Sequence, residues 1–221
     1  MRFSPIEREA YQGYLEAFTT TYALPKALAG RSLESEDAFE LGIAARGDDA
    51  LLPITGPGGA ILALKCRFYD PKDGQRYVYT TAGHGSPAWC SPGFRAAEEV
   101  LVVEGELNGM VSYLALREVG SAVGVMGVAG AYGQLHKGSL ANKRVFIWGD
   151  NDASGKRAQK RWLDAARRDG CHRASAIRAT QEDACEIAGA QGRLYLASWL
   201  LEAIHTVPAK KKKKRTLAWA A

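Results

Sequence analysis

The stretch Val145-Phe-Ile-Trp-Gly-Asp-Asn-Asp-Ala-Ser-Gly155 constrains the fold more than any other, because an apolar run ends there in two aspartates one residue apart. Residues 145–148 are β-branched or aromatic and short enough for a buried strand, and from Lys156 the pattern is that of an amphipathic helix. In open α/β sheets such a strand-to-helix turn lies at the edge where ligands bind. If extended geometry persists past the strand, Asp150 and Asp152 point to one side and offer oxygen ligands to a hard cation such as Mg²⁺. A calcium loop is excluded, since its twelfth position requires glutamate and here holds Arg161. That the aspartates merely cap a helix starting near Ser154 stays open from this stretch alone.

The same grammar recurs upstream. Val100-Leu-Val-Val103 is a second short strand candidate, and it runs into Glu104-Gly105-Glu106-Leu107-Asn108. Glycine permits a tight turn, and Leu107, Met110, Val111 and Leu114 fall on one helical face. If the two strands are neighbours, Glu104 stands beside Asp150. Strand-Glu-Gly-helix, followed about 45 residues later by strand-Asp-x-Asp-x-x-Gly, resembles the Toprim domain shared by topoisomerases and primases.

The charge balance narrows the partners. The net charge is +5, but Lys210 to Arg215 contribute six of the 29 basic residues, leaving 23 against 24 acidic ones and a net −1 for the rest. Any polyanion site in the folded part is therefore a local patch, whereas the run at 210–215 is either a source of non-specific phosphate attraction or a solvated end. No run of about 18 apolar residues occurs, and residues 1–9 lack a signal-peptide core, so the expectation is a cytoplasmic protein without a membrane partner. Cys66, Cys90, Cys171 and Cys185 form no Cys-x-x-Cys pair and no zinc-ribbon spacing with His84, His136, His172 or His205, which is the pattern of reduced structural thiols.

Residues 1–46 read as helical and loop-rich, with Tyr11, Tyr14, Leu15 and Phe18 on one face. From Leu51 the pattern becomes a β-meander: residues 51–54, a turn at Gly56-Pro-Gly-Gly59, residues 61–69, a turn at Asp70-Pro-Lys-Asp-Gly74, then Arg76-Tyr-Val-Tyr79. Lys65 and Arg67 share one strand face, and Arg76 is expected to join them from the facing strand. With Tyr77, they suit a groove contacting phosphates and bases, although ordinary solvated strand charges fit equally well. This arrangement resembles the amino-terminal part of the bacterial-type primase polymerase core. In that family the second basic residue is usually a lysine followed by tyrosine and asparagine; here arginine precedes Tyr77 and the asparagine is absent. The segment from Gly83 to Gly93 reads as the linker into the Toprim part, with Trp89 packing between the two.

Further along, residues 122–126 form a third strand candidate followed by Gly127, Gly130 and Gly133, which match no nucleotide fingerprint. The resemblance puts a glycine-containing loop here, next to the metal site. The helix from Ser154 carries Lys156, Arg157, Lys160, Arg161, Arg167 and Arg168, a face that is either solvated or near an incoming strand. Residues 173–177 suit a last strand. The resemblance implies a third acidic motif at Gln181–Glu186, matched by Asp183 with Glu186. Residues 194–204 suit a closing helix packed through Leu194, Leu196, Leu200 and Leu201.

The expected architecture is α/β: a Rossmann-like Toprim domain over 99–190, with a mostly parallel sheet and flanking helices. A smaller α+β subdomain with the meander and linker precedes it over 1–98; a closing helix over 191–207 and a basic, disordered tail over 208–221 follow. The resemblance implies a compact primase-like nucleotidyltransferase, from a phage, plasmid or other mobile element, making primers on a single-stranded DNA template. It would draw on nucleoside triphosphates, Mg²⁺ or Mn²⁺, and a separate helicase. Glu104, Asp150 and Asp152 would be catalytic, and these three with Asp183 would hold the metal. Lys65, Arg67, Arg76 and Tyr77 would bind nucleic acid or nucleotide. Two alternatives stand beside it: a Toprim nuclease using the same carboxylates, and a non-catalytic replication module whose acidic site has decayed. Family members often have an aspartate four residues after the motif glutamate, where this chain has Asn108. Either metal binding is weaker there, or Glu106 compensates from the same side as Glu104.

Overall fold

The computed structural model describes residues 5–80, 86–178 and 180–206. The His84 and tail expectations, including Lys210 to Arg215, lie outside these residues. Helices α1 (Pro5–Thr21) and α2 (Ser35–Glu40) lead into a four-stranded antiparallel meander of β1 (Ala44–Arg46), β2 (Asp49–Thr55), β3 (Ile61–Arg67) and β4 (Tyr77–Tyr79), paired in chain order. The second sheet contains β5 (Trp89–Cys90), β6 (Glu99–Glu104), β7 (Gly124–Val128), β8 (Arg144–Trp148) and β9 (Arg173–Ala176) in the order β5-β7-β6-β8-β9. All its pairings are parallel except that of β5 with β7. Helices α3 (Glu106–Glu118), α4 (Ala153–Arg168), α5 (Ala184–Gln191) and α6 (Arg193–Thr206) complete the chain.

The central parallel strands β6, β7 and β8 are apolar between their ends because both faces are covered, whereas the edge strand β9 is polar and only partly buried. Leu101, Val103, Val125, Phe146 and Trp148 face α3, α5 and α6; the intervening Val100, Val102, Met126, Val145 and Ile147 face α4 through Ala158, Trp162 and Ala166. The first layer also takes in Phe18, Leu28, Leu52 and Ile54, so the meander and the parallel sheet share one core. Trp89 is fully buried there. The segment expected to be linker thus supplies an antiparallel edge strand, since Trp89 and Cys90 pair with Gly127 and Met126.

Two helices sit differently from the sequence expectation. In α6, Leu196, Ala197, Leu200 and Ile204 are buried and Leu201 packs partly buried against the same core, while Leu194, in the first turn, is 63% exposed. The chain around Asp183 is the start of α5, a short helix whose residues Ile187 and Ala188 add to the core. All four cysteines are free. No helix among the described residues is long and apolar enough to cross a membrane.

Candidate active site at the carboxyl edge of the parallel sheet

Strands β6 and β8 run side by side with Val103 opposite Trp148, so Glu104 and the turn Gly149-Asp150 leave the sheet together. Gly105 has a positive φ of 87° and turns the chain into α3 directly after Glu104. Gly155 plays the matching part in α4: a Cβ there would collide with the Asp150 carbonyl oxygen. Both glycines let a helix begin within a residue or two of an acidic group.

Around this edge lies a cavity of about 540 Å³ lined by Glu104, Asn108, Asp150, Asp152, Asp183 and Glu186 among others, with no lysine or arginine among its described lining residues. Burial pushes the Glu104 carboxyl above the usual range, and the Asp150 charge adds to the effect although the Asp150 backbone N–H donates to it. Glu104 Oε2 is buried without a hydrogen-bond partner. The Asp150 carboxyl is raised too, by burial and then by Asp183, Asp152 and Glu186. A buried acceptor without a donor, amid carboxylates that raise one another, is an arrangement whose electrostatic cost a cation would relieve.

Asp152 behaves differently. Strand geometry ends at Trp148, so the alternation expected to align it with Asp150 is lost, and Asp152 becomes the N-cap of α4. Its carboxylate accepts from Gly155 N at 2.6 Å and from Ser154 Oγ, and these bonds hold its pKa below the usual value. Capping and lining the cavity therefore coexist in one residue. Asp183 likewise caps α5, accepting from Glu186 N at 2.9 Å, while the Glu186 side chain accepts from Asp183 N. Among the described residues no set of three His, Cys, Asp or Glu side chains could hold a metal ion by itself. Single carboxylates here are hard oxygen donors of the kind Mg²⁺ or Mn²⁺ would use if bound through one or two of them, with water and substrate oxygens completing the sphere.

Asn108 has another employment. Its Nδ2 donates to Glu104 O at 3.0 Å and its Oδ1 accepts from Cys185 N at 3.3 Å, which ties the turn after β6 to α5. A carboxylate could not make the first of these bonds. Glu106 does not compensate as a ligand beside Glu104. It begins α3, is buried, and pairs with Lys65 Nζ at 2.6 Å.

That pair settles the geometry of the basic strands. Lys65 and Arg67 share the face of β3 that meets the parallel sheet, and both are buried. Lys65 lies over the rings of Tyr77 and Tyr79 at 4.7 and 5.4 Å. Arg67 donates to Ala27 O at 2.7 Å and to the Tyr77 hydroxyl. Because Tyr77 and Tyr79 stand opposite Arg67 and Lys65, Arg76 is one residue out of phase, outside β4 and exposed. The expectation that Arg76 joins them is corrected by this register. None of the four lines the acidic cavity. The sequence pattern marked the cations but gave no sign of Glu106 as their partner, because nothing local indicates which strand α3 will meet.

No family model matches the chain, and no curated protein matches it. Solved structures do. A DnaG catalytic core superposes with a TM-score of 0.63 at 14% identity, covering 88% of this chain and 78% of that one. A DNA primase domain from Pseudomonas aeruginosa gives 0.62 at 18% identity, covering 91% and 78%. The RNA polymerase domain of Mycobacterium tuberculosis primase DnaG, in complex with double-stranded DNA, gives 0.61 at 16%, covering 88% and 78%. Among the similar structures is also a DnaG primase catalytic domain bound to single-stranded DNA, with a TM-score of 0.57. The meander joined through one core to a mostly parallel sheet is thus similar in fold to DNA primase catalytic cores.

Proposed function

We propose that the chain is a primase-like nucleotidyltransferase that joins nucleotides on a single-stranded DNA template, with Glu104 and Asp150 as the central acidic pair. The observation that carries this reading is the buried, unpartnered Oε2 of Glu104 beside Asp150, at adjacent strand ends of a primase-core fold. Asp150, with Asp152 and Asp183 at the rim, would hold Mg²⁺ or Mn²⁺. The ion would supply charge stabilisation to a transferring phosphoryl group. Glu104, its pKa raised by burial and by Asp150, is suited to take the proton of an attacking hydroxyl. The nucleic acid held by the structural neighbours supports a template as the partner.

One observation favours a nuclease as the second reading. Lys65 and Arg67, the cations nearest in sequence logic to a triphosphate site, are already engaged by Glu106, Ala27 and Tyr77. A nuclease needs no triphosphate contact. Labelled-nucleotide incorporation run beside end-labelled DNA cleavage, with and without Mg²⁺ or Mn²⁺, separates the two. Incorporation that is lost in Glu104→Gln and Asp150→Asn supports the primase reading. Metal-dependent cutting without incorporation on any single-stranded template would replace it with the nuclease.

A further inference from the structure

Outside the described lining of the acidic cavity stand two features that the proposed chemistry does not use. Tyr132 is 89% exposed, the most exposed large apolar side chain among the described residues. It sits on a tight turn after β7, closed by Gly133 N donating to Gly130 O at 3.0 Å. That turn is fastened to α4 on both sides of the tyrosine: Arg161 donates to Ala131 O, and the buried Trp162 Nε1 donates to Gly133 O at 3.0 Å. In register, Val128 at the end of β7 lies opposite Glu104, so the turn leaves the sheet from the same edge as the acidic residues. An aromatic ring held in water by a fixed backbone is available to a flat ligand at little ordering cost.

The second feature is the outer face of α4. Lys156, Arg157, Lys160, Arg161, Arg167 and Arg168 are all exposed. At 100° per residue they fall within about 140° of the helix, and the span from Lys156 to Arg168 is about 18 Å. Arg167 pairs with Asp164, and Arg157 lies near Asp152. Lys156, Lys160 and Arg168 pair with no acidic side chain among the described residues. With the run at 210–215 set aside, the chain carries a net charge of −1, so these cations are a local concentration and not a general excess.

We infer that Tyr132 and the exposed face of α4 form a binding surface for single-stranded nucleic acid, with an unpaired base stacked on Tyr132 and the phosphates following Lys156, Lys160 and Arg168. Cations that track a backbone together with an aromatic platform are what a single strand requires, and a duplex, with its bases internal, offers nothing to the ring. Asp152, at the rim of the acidic cavity, caps the start of α4, so the surface begins at that rim. This inference rests on the nucleic-acid reading of that cavity for its direction.

The test is binding of labelled oligothymidylate and of a blunt duplex by fluorescence anisotropy, over a range of salt, in EDTA and without nucleotide. Absent incorporation by the wild type would overturn the proposed activity and leave this measurement untouched. Tyr132→Ala is expected to weaken single-strand binding about tenfold at fixed salt, with the salt dependence and the duplex affinity unchanged. Tyr132→Phe, which keeps the ring, is expected to bind as the wild type does. The triple change Lys156→Gln, Lys160→Gln, Arg168→Gln is expected to lower the log–log salt slope by about 2, at roughly 0.7 per phosphate. Wild-type affinity in Tyr132→Ala, equal losses on strand and duplex, or an unchanged slope in the triple variant would each overturn the surface.

Discussion

Two groups of charges face each other across residue 105. Upstream and downstream carboxylates gather at the sheet edge, where Glu104 Oε2 has no partner and Asp150 is surrounded by like charge. One residue past the glycine, Glu106 turns the other way and is matched by Lys65 at 2.6 Å beneath two tyrosine rings. Both groups are conspicuous in the sequence. Only the first is electrostatically unfinished, and what distinguishes a candidate site from a fastening is that unfinished balance, not the density of charge.

The strongest way to break this comparison is to unbalance the fastening. Lys65→Met leaves Glu106 as an uncompensated buried charge, for which about 3 to 5 kcal/mol of stability is expected to be lost. Lys65→Met combined with Glu106→Leu is expected to recover most of it. Urea unfolding of the two variants measures both, and a double variant as unstable as the single one would show that the pair contributes more than charge cancellation.

Arg67 sharpens the same point at lower cost. Its charge-assisted bond to Ala27 O and its contact with Tyr77 predict a loss of about 2 kcal/mol for Arg67→Ala, read from the same unfolding curves. Arg76→Ala, an exposed change, is expected to leave stability within about 0.5 kcal/mol. Any loss of nucleotide incorporation in Arg76→Ala then reports a contact, whereas a loss in Arg67→Ala must first be corrected for folding.

On the acidic side the expected sign is reversed. Glu104→Gln removes a charge that its surroundings disfavour, so it is expected to leave thermal stability unchanged or slightly higher while weakening the stabilisation by Mn²⁺. Asp152 requires two substitutions, because it is both cap and rim. Asp152→Ala is expected to destabilise α4; Asp152→Ser keeps a capping oxygen and removes the charge. Calorimetric titration with Mn²⁺ on the serine variant isolates the contribution of the carboxylate, and unchanged binding would leave Asp152 as a cap alone.

How much of this could be read from the chain follows from range. The strand-acid-glycine-helix grammar is local, and it located Glu104, Asp150 and α3 with Leu107, Met110, Val111 and Leu114 inside. The meander was legible from turn residues and alternation. What was not legible depended on where chains meet: Trp89 as an edge strand, Glu106 against Lys65, and Asn108 bridging to Cys185. The phase of Arg76 failed for a different reason. A turn of several residues does not fix whether its exit is odd or even, and in a strand one residue decides the face. Tyr132 had no pattern to announce it, since its exposure comes from a loop held by α4 on either side of it.

The smallest effect is the most diagnostic of the acidic pair, because it reads their protonation. Glu104 and Asp150 have folded-state pKa values above their ordinary ones, so the folded protein holds protons that the unfolded chain gives up near pH 4. Their favourable contribution is complete below the unfolded values and is lost as pH rises through the raised ones. In EDTA they therefore oppose the usual acid destabilisation over that interval. A divalent ion must displace the same protons, so the rise in melting temperature with Mn²⁺ is expected to be largest near neutrality and to shrink as pH falls toward about 4. In a Glu104→Gln, Asp150→Asn double variant the residual Mn²⁺ effect is expected to be small at every pH. Asp152, its pKa lowered by the capping bonds where those of Glu104 and Asp150 are raised, gives up its charge only at lower pH than they do, so it follows a different trend. A Mn²⁺ effect of constant size from neutrality to about pH 4 would mean that the ion binds elsewhere, and that the unpartnered oxygen of Glu104 serves some other purpose.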